Sequence, residues 1–288
     1  MPTIASPTHL ETFTAERLEQ LPAVADERLT IRLGSTHFRE PGTMYGEIHL
    51  PTTHLSTLWH AAALMRVTYS ANRKSLEHLA EREEDLPFSR FDYRIGDLAN
   101  NFEVSIAGSR GRPPETEIVA VSIAKDELDE INTIYIASCA WVIYHESAHY
   151  IFGHNEIDFD GERDIFSEEM TADAFATENL EAIMNDAARF TSRFGQLAGA
   201  ASIMFIDERA EDLSLQGRYP HPDERLDQIL ELLTLDPNAE EYLVANSILR
   251  LRAMHVGLQV DGPVEFGSLR QAYSSHRDLF RTARAAEG

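Results

Sequence analysis

The sequence predicts an α+β protein that is predominantly α, with a small, partly β N-terminal lobe followed by a helical lobe. Three observations carry this reading. From Asp126 to the C-terminal end, apolar residues recur at helical spacing in segments broken by Gly, Pro and acidic turns. Short runs with strand-like alternation are confined to the first 125 residues. Between these regions lies GSRGRPPETE, rich in Gly and Pro and expected to be an exposed loop. The boundary is therefore set at 116/117, giving lobes 1–116 and 117–288 that form one continuous compact unit.

Taken in order, residues 1–27 read as a capped, polar helical lead-in. Leu29–Leu33 and Tyr45–Leu50 read as a pair of strands separated by a loop with Pro41 and Gly42. A helix is expected from Leu55 to Glu83, with Leu58, Ala62, Leu64, Met65 and Val67 on its apolar positions. Phe102–Ala107 and Glu117–Ile123 read as two further strands. Arg110 and Arg112, in the loop between them, read as solvated charges. Helices follow at 126–153, 165–187, 190–208, 223–235, 239–257 and 268–285.

Composition bounds the function. The 288 residues are 43% hydrophobic and 25% charged, which is ordinary for a globular chain able to bury a core. Forty-eight acids against 25 bases give a formal net charge of −23, a surface that repels phosphate backbones and anionic lipid. Neither nucleic acid nor membrane is an expected partner, and a protein or peptide is. The single cysteine, Cys139, excludes an internal disulfide framework and reads as a buried structural thiol. The first 30 residues show neither a basic start nor an apolar targeting core, and the longest uncharged stretch, 131–144, is too short to span a bilayer. The expected location is cytoplasmic.

The chemistry is concentrated in Trp141-Val-Ile-Tyr-His145-Glu146-Ser-Ala-His149-Tyr-Ile-Phe-Gly-His154. Two histidines four apart on a helix stand on one face, where both imidazoles reach one ion. Glu146 points beside that ion, where it can hold and deprotonate the bound water. Positions 142–144 and 147–151 carry no full charge, as a buried helix requires.

A catalytic ion needs a third protein ligand and an open position. The metzincin spacing fails, because Gly153 and His154 stand four and five residues past His149. A glutamate from a second helix fits instead. Glu169 has Asp173 one turn away, beside the small residues Ala172 and Ala176, and its neighbour Glu168 lacks that partner. Asp173 is then placed to orient a ligand histidine by accepting its second ring N–H. His154 reads as a residue at the helix C-terminus or behind the ligands. Asp158, Asp160 and Gly161 read as an acidic connector, since no twelve-residue calcium loop follows.

H-E-x-x-H followed 20 residues later by Glu169-x-x-x-Asp173 resembles the gluzincin metallopeptidases. The stretch E-x-x-A-D-x-x-A from Glu169 to Ala176 is similar to three families: the HtpX/CaaX-protease group, the ImmA/IrrE group and the Lit-type phage-exclusion peptidases. Tyr219-Pro-His221-Pro222-Asp-Glu-Arg225-Leu resembles the His-Pro…Arg-Leu element of the first and third groups, with a shorter His-to-Arg spacing. The lack of a spanning segment favours the soluble Lit-type group.

This resemblance implies a zincin-like catalytic domain and a zinc metalloendopeptidase. One zinc per chain would be held by His145, His149 and Glu169, with Glu146 as the base. His221 would donate to the developing oxyanion, or would simply be a turn residue before Pro222; Tyr144, Tyr150 and Tyr219 are other candidate donors. Glu117–Ile123 would bind the substrate by strand addition. The other reading is a regulatory or phage-defence protein, proteolytically silent until triggered, that acts on one dedicated partner.

Overall fold

The computed structural model describes residues 7–18, 29–35, 40–81, 94–112, 116–154, 164–206, 219–257 and 267–287. Among them α1 (Pro7–Leu18) precedes strands β1 (Thr30–Leu33), β2 (Gly42–Met44) and β3 (Glu47–Leu50). Helices α2 (Thr52–Glu81), α3 (Arg94–Ser109) and α4 (Lys125–Ile151) follow. The chain ends in α5 (Ile165–Ile183), α6 (Arg189–Ile206), α7 (Pro222–Leu232), α8 (Glu241–His255) and α9 (Leu269–Glu287). The protein is α+β and mostly α.

Helix α4 is the axis of the fold. Its middle, from Ile131 to Ala148, is apolar on almost every side, so it can be stable only with neighbours all around it. Helix α6 crosses it most closely, because Gly195 and Gly199 remove side chains at the crossing. A Cβ at Gly195 would stand 2.3 Å from Ala137 Cβ and 2.8 Å from the Ile134 carbonyl. Helix α5 approaches through Ala172 and Ala176, both fully buried, and Thr177 Oγ1 accepts a 3.2 Å bond from the Trp141 indole. The apolar core runs without a break from Leu10 through Ile48 and Trp141 to Tyr273.

The sheet has the order β1-β3-β2. β1 runs parallel to β3 in the register Thr30↔Glu47 to Leu33↔Leu50. β2 pairs antiparallel with β3 through the two-residue turn Tyr45–Gly46. Both turn residues have positive φ (52° and 77°), the conformation that matches a hairpin to the twist of its strands. This places β2 against α4, where the Thr43 hydroxyl donates to the Glu146 carbonyl at 2.8 Å.

Two expected strands are corrected. Phe102–Ala107 lies inside α3, where Leu98, Phe102, Ser105, Ile106 and Ser109 share the buried face at helical spacing. Its alternation was one view of a 3.6-residue period. Glu117–Ile123 pairs with no strand among the described residues. The Asn101 side chain takes the place of a neighbouring strand, accepting from Val119 N–H at 2.7 Å and donating to its carbonyl at 2.8 Å. Arg110 is also not a solvated charge, since its guanidinium bonds the Phe205 and Ile206 carbonyls that end α6. The acidic connector Asp158–Gly161 and most of the lead-in lie outside the described residues.

Candidate metal centre

On α4 the four-residue spacing sets the rings of His145 and His149 4.9 Å apart, with their Nε2 atoms at 3.2 Å. Helix α5 is fixed at its start by Asp164, whose carboxylate accepts from Ser167 N–H at 3.1 Å. One turn further it brings Glu169 over the two rings. Glu169 Oε2 lies 3.5 Å from His145 Nε2, and Oε1 lies 3.7 Å from His149 Nε2. Ligands held about 2.0–2.1 Å from a tetrahedral zinc are separated from one another by about 3.3 Å. The three contacts scatter around that edge length. The donor set of two imidazoles and one carboxylate, with its donor atoms within 4.8 Å of one another, therefore fits zinc.

Behind the donors sits a fully buried ion pair. Asp173 is 0% exposed, and its carboxylate receives Arg225 Nε at 2.6 Å and Nη2 at 2.5 Å. The other oxygen contact, Oδ1 to His145 Nδ1 at 2.9 Å, is close but not aligned as a straight hydrogen bond. Arg225 Nη1 also stands 3.6 Å from Glu169 Oε2. Burial opposes the charge on Asp173, but Arg225 and His145 outweigh it and keep the carboxyl below its usual range. The same balance, set by His145 and Arg225, lowers Glu169.

Burial likewise opposes a charge on His145, yet Asp173 and Glu169 lift its pKa to about 9. His149 moves the other way, to about 3, through burial and the charge on His145. The carboxylates of Asp173 and Glu169 thus favour a positive charge on His145, the same attraction a dication would meet there.

His149 turns its second nitrogen away from the cluster, and its Nδ1 lies 3.1 Å from His154 Nδ1. Glu146, the position after His145 on α4, is 8% exposed. Burial raises its carboxyl to about 7, against a downward pull from His145. Trp141 stacks on His145 from the opposite side, with centroids 5.4 Å apart and planes at 24°.

The structure thus gathers His145, His149, Glu169, Asp173 and Glu146 at one junction of α4 and α5, and Glu169 rather than Glu168 joins the donor group. His221 begins α7, one turn before Arg225, and its backbone N–H donates to the Glu224 carboxylate at 2.7 Å. Tyr144 is buried against Phe175, with centroids 6.4 Å apart. Two partners of the centre were not assigned from the sequence: Arg225 was legible only as part of a motif, and Thr43 belongs to a strand read as loop. His154 stands behind His149, at the turn that ends α4.

Fold and centre together define a class: a predominantly helical protein that carries a His/His/carboxylate cluster where two helices cross. Within that class the chain belongs to the Peptidase U49 family, whose model matches residues 48–246. This is the Lit-type phage-exclusion peptidase group, and the match runs from β3 into α8, across His145, Glu146, His149, Glu169, Asp173 and Arg225. No curated protein and no solved structure matches the chain. The family makes the protein a peptidase with a protein substrate.

Proposed function

We propose that this peptidase is a zinc metalloendopeptidase in which His145 Nε2, His149 Nε2 and the Glu169 carboxylate hold one zinc and Glu146 is the general base. The observation that carries the reading is the spacing of 3.2, 3.5 and 3.7 Å among the donors, with a buried glutamate on the adjoining helix position. Zinc bound there supplies a Lewis acid for the scissile carbonyl and lowers the pKa of water toward 7. Glu146 takes the proton from the attacking water and delivers it to the leaving amine nitrogen. Asp173 keeps His145 oriented through Nδ1, and Arg225 keeps both Asp173 and Glu169 anionic. His221 remains a candidate donor to the oxyanion, at the helix end that also presents Arg225.

The substrate strand is reassigned from Glu117–Ile123 to β2. Among the described residues β2 is paired on one edge only, and Thr43 ties it to the backbone of Glu146. Met44, 46% exposed, ends the strand, and Tyr45, 97% exposed, follows it. A peptide added to the open edge would lie across the helix that carries the base. Replacing Thr43 by Pro removes a strand N–H and the hydroxyl, and should raise KM for a peptide substrate; an unchanged KM would rule out β2.

A second reading, a regulatory or defence protein with one dedicated substrate, is favoured by the family match and by narrow access to the centre. The side chains of His149 and Glu169 are only 12% and 16% exposed. On this reading unfolded casein is cut poorly. Rapid casein hydrolysis by the purified chain would contradict it and leave the general peptidase reading standing.

A further inference from the structure

We propose that His154 is the positioning residue for His149, fixing the ring tautomer and orientation in which Nε2 serves the centre. The inference rests on the zinc reading above. It begins with the way α4 ends. Gly153 has φ +73°, a conformation that costs glycine nothing and reverses the chain. The His154 N–H then donates to the His149 carbonyl at 2.9 Å, and the Gly153 N–H to the Tyr150 carbonyl at 3.2 Å. This paired closure folds His154 back over the last turn, so that its ring meets His149 at a centroid distance of 5.2 Å. Phe152 flanks the same ring at 5.7 Å.

The chemistry fixes who donates. A His149 that offers Nε2 to a cation must keep its proton on Nδ1. That proton faces His154 Nδ1 at 3.1 Å, so His154 accepts and carries its own proton on Nε2. His154 therefore lies on the far side of the His149 ring from the donors and is not a fourth ligand. The two ligand histidines receive different orienters, a carboxylate for His145 and an imidazole for His149. With Glu146, Glu169 and Asp173 already in the centre, a further carboxylate there would add to the charge that must be buried.

The test compares the full-length parent with His154→Phe, His154→Asn and His154→Ala, each stripped of metal. Zinc affinity is read by competition with a chromophoric chelator, and the ligand field by the visible spectrum of the cobalt(II) form. His154→Phe keeps a ring against Phe152 but cannot accept a proton, whereas the carbonyl of His154→Asn can accept near the position of Nδ1. Affinity should fall about 10- to 100-fold in the Phe and Ala variants, with an altered cobalt spectrum, and stay within a few-fold of the parent in the Asn variant. A Phe variant that binds like the parent, or an Asn variant as weak as Phe, overturns the role of His154. A parent that takes up no zinc overturns the centre itself and this inference with it, a failure visible before any variant is compared.

Discussion

At Glu146 one atom type decides the outcome. Glu146→Gln keeps the shape and the hydrogen bond to Thr43 through the backbone but removes the ability to take a proton. Peptide hydrolysis should fall by about 10²- to 10⁴-fold while zinc content stays at the parent level, measured by initial rates beside metal analysis. Arg225 tests a different term. Its replacement by Met strands the Asp173 carboxylate, 0% exposed, without its cation. Breaking a buried pair on one side costs about 3–5 kcal/mol, so the urea midpoint should drop sharply. A midpoint within error of the parent would mean that the pair contributes nothing.

His54 provides a pH prediction away from the centre. Burial pulls its pKa down to about 3, and neither ring nitrogen has a hydrogen-bond partner among the described residues. The folded value lies below the unfolded value of about 6.5, so its contribution is complete above pH 6.5 and is lost as pH falls toward 3. At pH 5 the loss is about 2 kcal/mol for this one group. His54→Leu should therefore flatten the stability profile between pH 7 and pH 5 by that amount, read from urea titrations in chelator. Parallel profiles would show that His54 is not neutral and buried in solution.

At the scale of elements, α6 packs closely on α4, the helix that carries His145 and His149. Alanine is a better helix former than glycine by about 1 kcal/mol, yet Gly195→Ala would drive a methyl group into Ala137 and the Ile134 carbonyl. Overpacking of this kind costs about 1–3 kcal/mol, so the variant should be less stable by thermal melting. Stabilisation would mean that the helices part without cost.

Elements of one strong period were legible from sequence: α4 to α9 lie within a few residues of the segments read, because helical amphipathicity or long apolar runs mark them. The errors have physical causes. Phe102–Ala107 is too short a window to separate a period of 2 from 3.6. Gly42–Met44 is a three-residue strand whose glycine and preceding proline look like loop. Val119 finds its backbone partner in an asparagine side chain that no local pattern announces.

At the scale of the molecule, an apolar core continuous from α1 to α9 backs the centre, and no helix among the described residues is long and apolar enough to cross a membrane. The net charge of −23 surrounds a cluster already rich in carboxylates, which favours a cation in the centre and disfavours acidic substrates. What the sequence could show of the centre was its helical spacing: His145, Glu146, His149, Glu169 and Asp173 follow from turns of four residues on two helices. What it could not show was the long-range closure, in which Arg225 arrives from α7 and Thr43 from β2.

Metal binding at this centre is tested by elemental analysis of purified chain beside His149→Ala and Glu146→Gln. About one zinc per chain is expected in the parent and in Glu146→Gln, with loss of that zinc in His149→Ala. A parent that stays free of zinc after incubation with the ion, or a His149→Ala variant that retains it, would contradict the centre described.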